Sequence, residues 1–208
     1  MCSLNKKEDG KMEDRRIRKT KESVKTAYLE LMREKPFKDI TVNQITERAD
    51  INRGTFYLHY LDKFDLRDQL ETEVLQQLEQ CLSERKMENL LAGTKNYSIE
   101  LIELILQVII DNKEFFEILL IYQDIGLPQK FSRIIRDNIE RQLEFPQYLD
   151  IVPINYYFAF IVNAQTGLIK EWVKNGMKES KYDVASYAYT LAYKGPLNLM
   201  QNYLKTQG

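Results

Sequence analysis

The sequence predicts an all-α fold of about nine helices, on the evidence of residue spacing and of helix stops. Apolar residues recur every three or four positions through most of the 208 residues, which is the spacing of one face of an α-helix. Prolines or an Asn-Gly pair interrupt this spacing at intervals typical of helix ends. The interruptions lie at Pro36, Pro128, Pro146, Pro153 and Asn175–Gly176.

The predicted helices fall into a small N-terminal unit and a larger C-terminal one. We expect a flexible basic arm over residues 1–14, a three-helix domain over 15–62 and a helical domain over 63–208. The helices are expected over residues 15–35, 42–49, 62–84, 97–111, 113–123, 129–144, 154–175 and 181–204, with one more short helix after Asn52.

Positive charge concentrates in the N-terminal part of the chain. Residues 1–65 hold fifteen Lys and Arg against twelve Asp and Glu, a net charge of +3, whereas residues 66–208 carry a net charge of −4. The densest run lies at the start of the first helix, at Arg15, Arg16, Arg18, Lys19 and Lys21. Such a run is either a solvated arm or a set of contacts to the phosphates of a nucleic acid.

A short helix ending in a tight turn is predicted next. Thr41 can accept a hydrogen bond from the first N–H groups of this helix. Val42, Ile45 and Ala49 then recur on one face, which indicates that the helix is half-buried. Asp50 follows, and Asp is among the few residues other than glycine that tolerate the left-handed backbone of such a turn.

A second short helix is predicted after the turn. Asn52 can cap it, while Phe56 and Tyr60 lie four positions apart and face inward. Its outward positions are Arg53, Gly54, Tyr57 and Leu58. Such a face suits the major groove of DNA, because a guanidinium can donate to guanine edges or phosphates and a glycine lets the backbone come close. Tyr57, His59 and Lys63 can reach phosphates alongside, whereas a plain helical hairpin is the alternative.

Residues 41–63, TVNQITERADINRGTFYLHYLDK, resemble the helix-turn-helix of the TetR family of transcriptional regulators. The order and spacing of the family's pattern hold across this whole segment, so the resemblance is specific. The matching residues are Thr41, Ile45, Ala49, Gly54, Thr55, Phe56, Tyr57, His59, Tyr60 and Lys63. Asp50 stands where the family usually has a glycine and Phe56 where leucine is more common, and each keeps the role of the residue it replaces.

The resemblance implies a regulator that binds double-stranded DNA, with a helix-turn-helix domain followed by a helical dimerisation and effector domain. We expect a homodimeric repressor with a near-palindromic operator. The family's DNA contacts carry over to Thr41, Arg53, Gly54, Thr55, Tyr57, His59 and Lys63. His59 is the chain's single histidine, and a structural hydrogen-bonding role is compatible with phosphate contact.

The long helix over residues 62–84 links the two units, and its predicted apolar stripe is Phe64, Leu66, Leu70, Val74 and Leu78. Residues 97–123 and 154–173 are rich in large apolar and aromatic side chains. Such a cluster either fills a core or lines a pocket between helices, and a pocket would suit an apolar or aromatic small-molecule effector. The predicted pocket residues are Phe116, Tyr122, Tyr156 and Phe160.

Two apolar stripes on the last helices are candidates for the subunit contact, since one can close the core while the other meets a second chain. The predicted dimerisation residues are Leu168, Trp172, Tyr189 and Tyr193. Residues 167–176, GLIKEWVKNG, resemble the C-terminal regions of a TetR subgroup that includes regulators acting through a protein partner. Control by a protein partner instead of a small molecule is therefore the alternative, and in either case both stripes can still belong to the core.

Other classes of function find no support in the sequence. Cys2 and Cys81 are too few and too far apart for a zinc site or a disulfide framework. No nucleotide-binding glycine pattern, metal-ligand cluster or nucleophile with a plausible partner is found, so we expect no cofactor, no metal and no enzymatic activity. No apolar run reaches the length of a membrane span and the first residues are charged, so we expect a cytoplasmic protein without a membrane partner.

Overall fold

The computed structural model describes residues 15–84, 95–122, 127–142 and 147–207 and confirms the all-α fold. Ten α-helices lie in these ranges. They are α1 Arg15–Glu34, α2 Val42–Arg48, α3 Arg53–Tyr57, α4 Lys63–Ser83, α5 Lys95–Asp111, α6 Lys113–Glu117, α7 Leu127–Gln142, α8 Ile154–Lys174, α9 Lys181–Lys194 and α10 Pro196–Gln207. The predicted arm, residues 1–14, lies outside the described residues.

The apolar side chains of α1, α2 and α3 pack into the same continuous core as those of the later helices. Val24, Ala27, Tyr28 and Leu31 form the buried face of α1, and Ile45 of α2 and Phe56 of α3 pack into the same cluster. A 3-10 turn, Phe37–Asp39, follows Pro36 and leads to α2. The first three helices therefore form one packed unit that can present α3 at its surface.

Helix α4 connects these three helices to the rest of the chain. Four of the five predicted stripe residues are buried, but Phe64 is 50% exposed. Leu66, Leu70, Val74 and Leu78 follow each other at four-residue intervals, whereas Phe64 lies two positions before Leu66 and so points about 200° round the helix. The inward assignment of Phe64 was therefore wrong, and its ring instead packs edge-on against Phe37 at 5.2 Å.

The remaining helices form a layered body around α4 and α5. Helix α5 packs between α4 and α9, and α7 lies against both α4 and α8. Lys130 near the start of α7 pairs with Glu71 of α4, and Arg141 near its end pairs with Glu79, so α7 and α4 run side by side in the same direction. The body core is apolar and aromatic, and includes Phe116.

Three segments of the body differ from the predicted helices. The stretch 181–204 is two helices rather than one, because Gly195 has a φ of +74° and Pro196 begins α10. A π-helical turn, Ile118–Tyr122, continues α6. Between α7 and α8 the chain makes a pair of two-residue antiparallel strands, β1 Tyr148–Leu149 and β2 Val152–Pro153.

Candidate nucleic-acid interface

The start of α2 is fixed by a reciprocal cap, as predicted for Thr41. The Thr41 hydroxyl oxygen accepts a hydrogen bond from the backbone N–H of Gln44 at 3.3 Å. The Gln44 side-chain oxygen accepts in return from the backbone N–H of Thr41 at 3.0 Å. Because the Thr41 hydroxyl only accepts in this cap and Thr41 is exposed, its own hydrogen can donate to an anion outside.

The turn between α2 and α3 has the left-handed residue that the sequence predicts. Asp50 has a φ of +53°, and the backbone N–H of Ile51 donates to the carbonyl of Thr46 at 3.1 Å. This bond satisfies a carbonyl that the end of α2 would otherwise leave without a partner. Ile51 then packs, half-buried, against the core.

The start of α3 depends on both Asn52 and Gly54. The Asn52 side-chain oxygen accepts from the backbone N–H of Thr55 at 2.7 Å and from its hydroxyl at 3.1 Å, which confirms the predicted cap. A Cβ atom at position 54 would lie 3.2 Å from that same oxygen, closer than most such contacts. Glycine at this position therefore preserves the cap and also leaves the exposed backbone of α3 uncovered.

Arg53 and Tyr57 form the polar part of the outward face of α3. Arg53 Nη2 donates to the Tyr57 hydroxyl at 3.2 Å, and the guanidinium carbon lies 5.7 Å from the centre of the ring. Both side chains are exposed, as is Leu58 beside them. On the opposite side Phe56 and Tyr60 are buried, so the helix is held by its inner face.

His59 and Lys63 occupy the junction between α3 and α4. The His59 ring is half-buried and lies edge-on to Tyr60 at 6.3 Å, while its backbone carbonyl accepts from Gln69 Nε2 at 3.3 Å. Lys63 Nζ donates to the carbonyls of Phe37, Lys38 and Ile40 at 3.0, 3.0 and 2.7 Å. An ammonium group has three hydrogens, and these contacts use all of them. The phosphate contact predicted for Lys63 stays a prediction, and the same ammonium already ties α4 to the segment before α2.

An ion pair that sequence reasoning missed sets α2 against α1. Arg48 donates to the two carboxylate oxygens of Glu34 at 2.6 and 3.0 Å. The Arg48 hydrogen bond lowers the pKa of Glu34, and the same bond raises the pKa of Arg48. The two residues are 14 positions apart on different helices, so no spacing rule could have joined them.

The predicted basic run borders a groove beside the turn. Arg15, Arg16 and Lys19 of α1 line one side of this groove, and Asp50 and Ile51 line the other. Its volume is about 830 Å³ and it is open to solvent. Part of the basic run therefore lies next to the α2–α3 turn.

Phe116, Tyr156 and Phe160, the predicted pocket residues whose side chains the structure describes, divide between the core and the surface. Phe116 is only 3% exposed and packs in the body core. Tyr156 and Phe160 lie on the exposed face of α8, and the side chain of Tyr122 is outside the part of the chain that the structure describes. An open groove of about 320 Å³ lies between α7 and α8, where the Arg136 guanidinium lies over the buried Phe158 ring at 5.4 Å.

The four predicted dimerisation residues also divide between core and surface. Trp172 is buried, and its indole N–H donates to the carbonyl of Glu179 at 3.0 Å. Leu168 and Tyr189 are partly buried against the core. Tyr193 is exposed and stacks on Tyr189 with ring centres 4.3 Å apart. Of the four, Tyr193 offers the most surface to another chain.

Across the described ranges we find no group of three or more His, Cys, Asp or Glu side chains placed to hold a metal ion. Among the helices in those ranges, none combines the length and the apolar character needed to cross a membrane.

Comparisons with known proteins agree with this geometry. Residues 26–70 match the sequence model of bacterial regulatory proteins of the tetR family, and residues 96–194 match a model of a transcriptional regulator C-terminal region, TetR_C_8. The chain is 39% identical over 61 residues to an uncharacterized HTH-type transcriptional regulator, YxbF, of Bacillus subtilis strain 168. That alignment covers 29% of this chain and only 16% of YxbF.

Solved structures show the same fold. A TetR transcriptional regulator from Streptococcus agalactiae 2603V superposes with a TM-score of 0.60 at 23% identity, over 86% of this chain and 96% of that one. The fatty acid degradation regulator FadR from Bacillus halodurans superposes with a TM-score of 0.56 at 13% identity, over 91% and 98% of the two chains. With a helix-turn-helix of the family's pattern, and with family models matching both its N-terminal and its C-terminal part, this chain belongs to the TetR family of DNA-binding transcriptional regulators.

Proposed function

We propose that this protein is a homodimeric repressor that inserts one α3 helix from each chain into successive major grooves of a near-palindromic operator. The observation that carries the proposal is the division of α3 and the turn after it into a buried side, Phe56 and Tyr60, and an exposed side, Arg53 and Tyr57. A helix held from behind can enter a groove without loss of packing. Repression follows where the operator overlaps a promoter, because the bound protein then excludes the polymerase.

Within this proposal each predicted DNA contact has a separate role. Arg53 donates to a guanine edge, because its planar guanidinium matches the two acceptors of guanine in the major groove. Tyr57 and His59 contact phosphates, and the Thr41 hydroxyl donates to a phosphate at the start of α2. Gly54 lets the α3 backbone approach the duplex, and Thr55 holds the cap that aims it. Lys63 acts indirectly, because its ammonium holds the segment before α2 in place.

The subunit contact is proposed on the exposed aromatic face of the last helices. Tyr156 and Phe160 lie one turn apart on α8, and Tyr187 and Leu191 lie one turn apart on α9. These four large side chains are exposed on two neighbouring helices, and exposed apolar groups of this kind are candidates for contact with another chain. A two-fold axis through it would pair each helix with its copy and cover the face from both chains.

Release from the operator is proposed to follow the binding of a small apolar effector. The dimer can adopt two conformations that differ in the spacing of the two α3 helices. An effector acts by binding the conformation that does not fit the operator more tightly than the one that does. The position of Phe116 in the packed core and of Phe160 at the surface favours a second candidate, in which a partner protein binds the body and no small molecule is needed. Thermal-shift screening with small apolar molecules separates the two, since a ligand that binds only the folded chain raises its melting temperature.

Selection of binding sites from random-sequence duplexes tests the proposed DNA reading. We expect enrichment of a near-palindrome by the native chain. Arg53→Ala should weaken binding to the enriched site by about 1–3 kcal/mol and relax the base preference at one position of each half-site. Tyr57→Phe removes the Arg53 hydrogen bond and the proposed phosphate contact but keeps the ring, so it should weaken binding to the enriched site and to random DNA alike and leave the base preference unchanged. Equal losses by Arg53→Ala on specific and random DNA would reduce Arg53 to a phosphate contact.

A further inference from the structure

Leu58 is an apolar side chain at the C-terminal end of α3, directly after Tyr57. It is 79% exposed, and its backbone is still helical, with φ −70° and ψ −21°. Its N–H donates to the carbonyl of Gly54 at 3.1 Å, so Leu58 stands one turn beyond Gly54 on the same side of the helix. The leucine therefore projects from the outward face that also carries Arg53 and Tyr57.

Packing within the chain does not account for this leucine. The inward face of α3 is already filled by Phe56, which is fully buried, and by Tyr60. A single exposed leucine is common on protein surfaces. This one differs because it adjoins the exposed Tyr57 ring on the surface proposed to meet DNA, where any side chain that enters the groove loses its water.

The chemistry of the major groove offers one partner for such a side chain. Base edges there present hydrogen-bond donors and acceptors, and the thymine C5 methyl is their apolar group. Gly54 has no side chain to hold the helix away from the duplex, so Leu58 one turn later can come into van der Waals contact with a base. We propose that Leu58 is a specificity residue that recognises a thymine methyl group in each operator half-site, an inference that rests on the proposed function.

Leu61 provides a matched control. It is 81% exposed, but it lies beyond the helical turn, in the bend that leads to α4. Its N–H donates to the Asp65 carboxylate at 2.8 Å, which fixes the backbone of that bend. If exposed leucines at this end of the protein merely add apolar surface, Leu58→Ala and Leu61→Ala should change DNA affinity in the same way.

The test replaces single thymines of the selected operator with deoxyuridine, which lacks only the methyl group. Affinities are measured for the native chain, Leu58→Ala and Leu61→Ala. One thymine per half-site should be sensitive in the native chain, with about a four-fold loss of affinity, the equivalent of one buried methyl group. Leu58→Ala should bind the thymine and deoxyuridine duplexes equally, because the partner of the methyl is gone. Leu61→Ala should keep the native sensitivity.

Other results overturn the inference in recognisable ways. A native chain that ignores deoxyuridine at every position refutes methyl recognition, while the proposed function survives. Sensitivity that persists in Leu58→Ala assigns the methyl to another residue. Unchanged operator affinity of Leu58→Ala shows that the leucine serves a protein partner or stays in water. Failure of the selection to enrich any sequence overturns both proposals. Thermal melting of each variant checks that these exposed positions leave the fold intact.

Discussion

At the scale of single residues, Lys63 is a charged side chain whose contacts are with backbone carbonyls of its own chain. Its ammonium lies 4.8 Å from the centre of the Phe37 ring. It donates to three backbone carbonyls in and beside the 3-10 turn, those of Phe37, Lys38 and Ile40. The Phe37 carbonyl also accepts from the backbone N–H of Ile40 at 3.2 Å, so the lysine reinforces the bond that closes this turn. The lysine therefore stabilises the approach to α2, and through it the position of Thr41.

Lys63→Met should lower the free energy of unfolding by about 2 kcal/mol, because three carbonyls lose a charged donor while the apolar stem is kept. Chemical denaturation measures this loss. Lys38→Met is the control, since the Lys38 side chain is exposed and only its carbonyl takes part. We expect the salt dependence of DNA binding by Lys63→Met to keep its slope. A slope flatter by about one, with unchanged stability, would make Lys63 a phosphate contact instead.

At the scale of elements, the parts of the helix-turn-helix that the sequence predicted are those fixed by near neighbours. The Thr41 cap, the left-handed Asp50 and the Asn52 cap each depend on residues within five positions, and all three are confirmed. Contacts between distant residues escaped prediction. Arg48 meets Glu34 across 14 positions, and Lys63 reaches carbonyls 23 to 26 positions away. Only the folded chain brings such groups together.

The break between α9 and α10 was missed although its signal is local. Gly195-Pro196 is a dipeptide that commonly ends one helix and begins another. The four-residue spacing of Tyr189, Tyr193 and Leu197 continues across it and masked the stop. A periodic pattern alone therefore overstates helix length where a glycine at positive φ precedes a proline.

The turn can be tested by two substitutions at one position. Asp50→Ala should destabilise the protein by about 1 kcal/mol, because a Cβ without a compensating polar group disfavours a φ of +53°. Asp50→Gly should leave stability within about 0.5 kcal/mol of the native value, since glycine accepts this backbone but gains freedom in the unfolded chain. Thermal denaturation compares the two. Equal losses for Ala and Gly would mean that the carboxylate, and not the backbone, matters here.

The contact between α4 and α7 offers a buried and an exposed ion pair on the same two helices. Glu71 is almost fully buried and pairs with Lys130, whereas Glu79 and Arg141 are both exposed. Lys130→Met should cost about 1–2 kcal/mol of stability, because the buried Glu71 carboxylate loses its hydrogen-bonded cation and keeps only Arg67 at 3.7 Å, although Lys130 is itself half-exposed. Arg141→Met should cost less than about 0.5 kcal/mol. Urea denaturation giving equal losses would contradict the assignment of the buried pair.

At the scale of the whole molecule, the sequence located two apolar stripes but could not say which faces outward. Trp172 was predicted at the subunit contact and is buried, while Phe160 was predicted in a pocket and is exposed. The spacing of apolar residues shows which face of a helix is apolar. It does not reveal whether that face packs against the same chain or against another one. The body's core and its proposed contact surface therefore became distinguishable only once the helices were packed.

Phe160→Glu tests the proposed subunit contact in the full chain. Phe160 is 66% exposed, so the substitution should leave helicity and melting nearly unchanged in the monomer. An unpaired carboxylate buried between subunits should weaken the dimer by at least about tenfold, and sedimentation velocity measures this shift. Leu61→Glu, on the DNA-binding domain, should stay dimeric. A Phe160→Glu chain that remains a native dimer would move the contact to another face.

The most direct test of a dimer that reads two half-sites is the stoichiometry and spacing of its operator complex. Sedimentation of the native chain with the selected duplex should give two chains per duplex. The half-site centres in the sequence of that duplex should lie about one helical turn, roughly 34 Å, apart. Inserting roughly five base pairs between the half-sites, half a turn, should abolish tight binding because one α3 helix then faces away from its groove. One chain per duplex, or binding that tolerates the insertion, would contradict the proposed homodimeric reading of DNA.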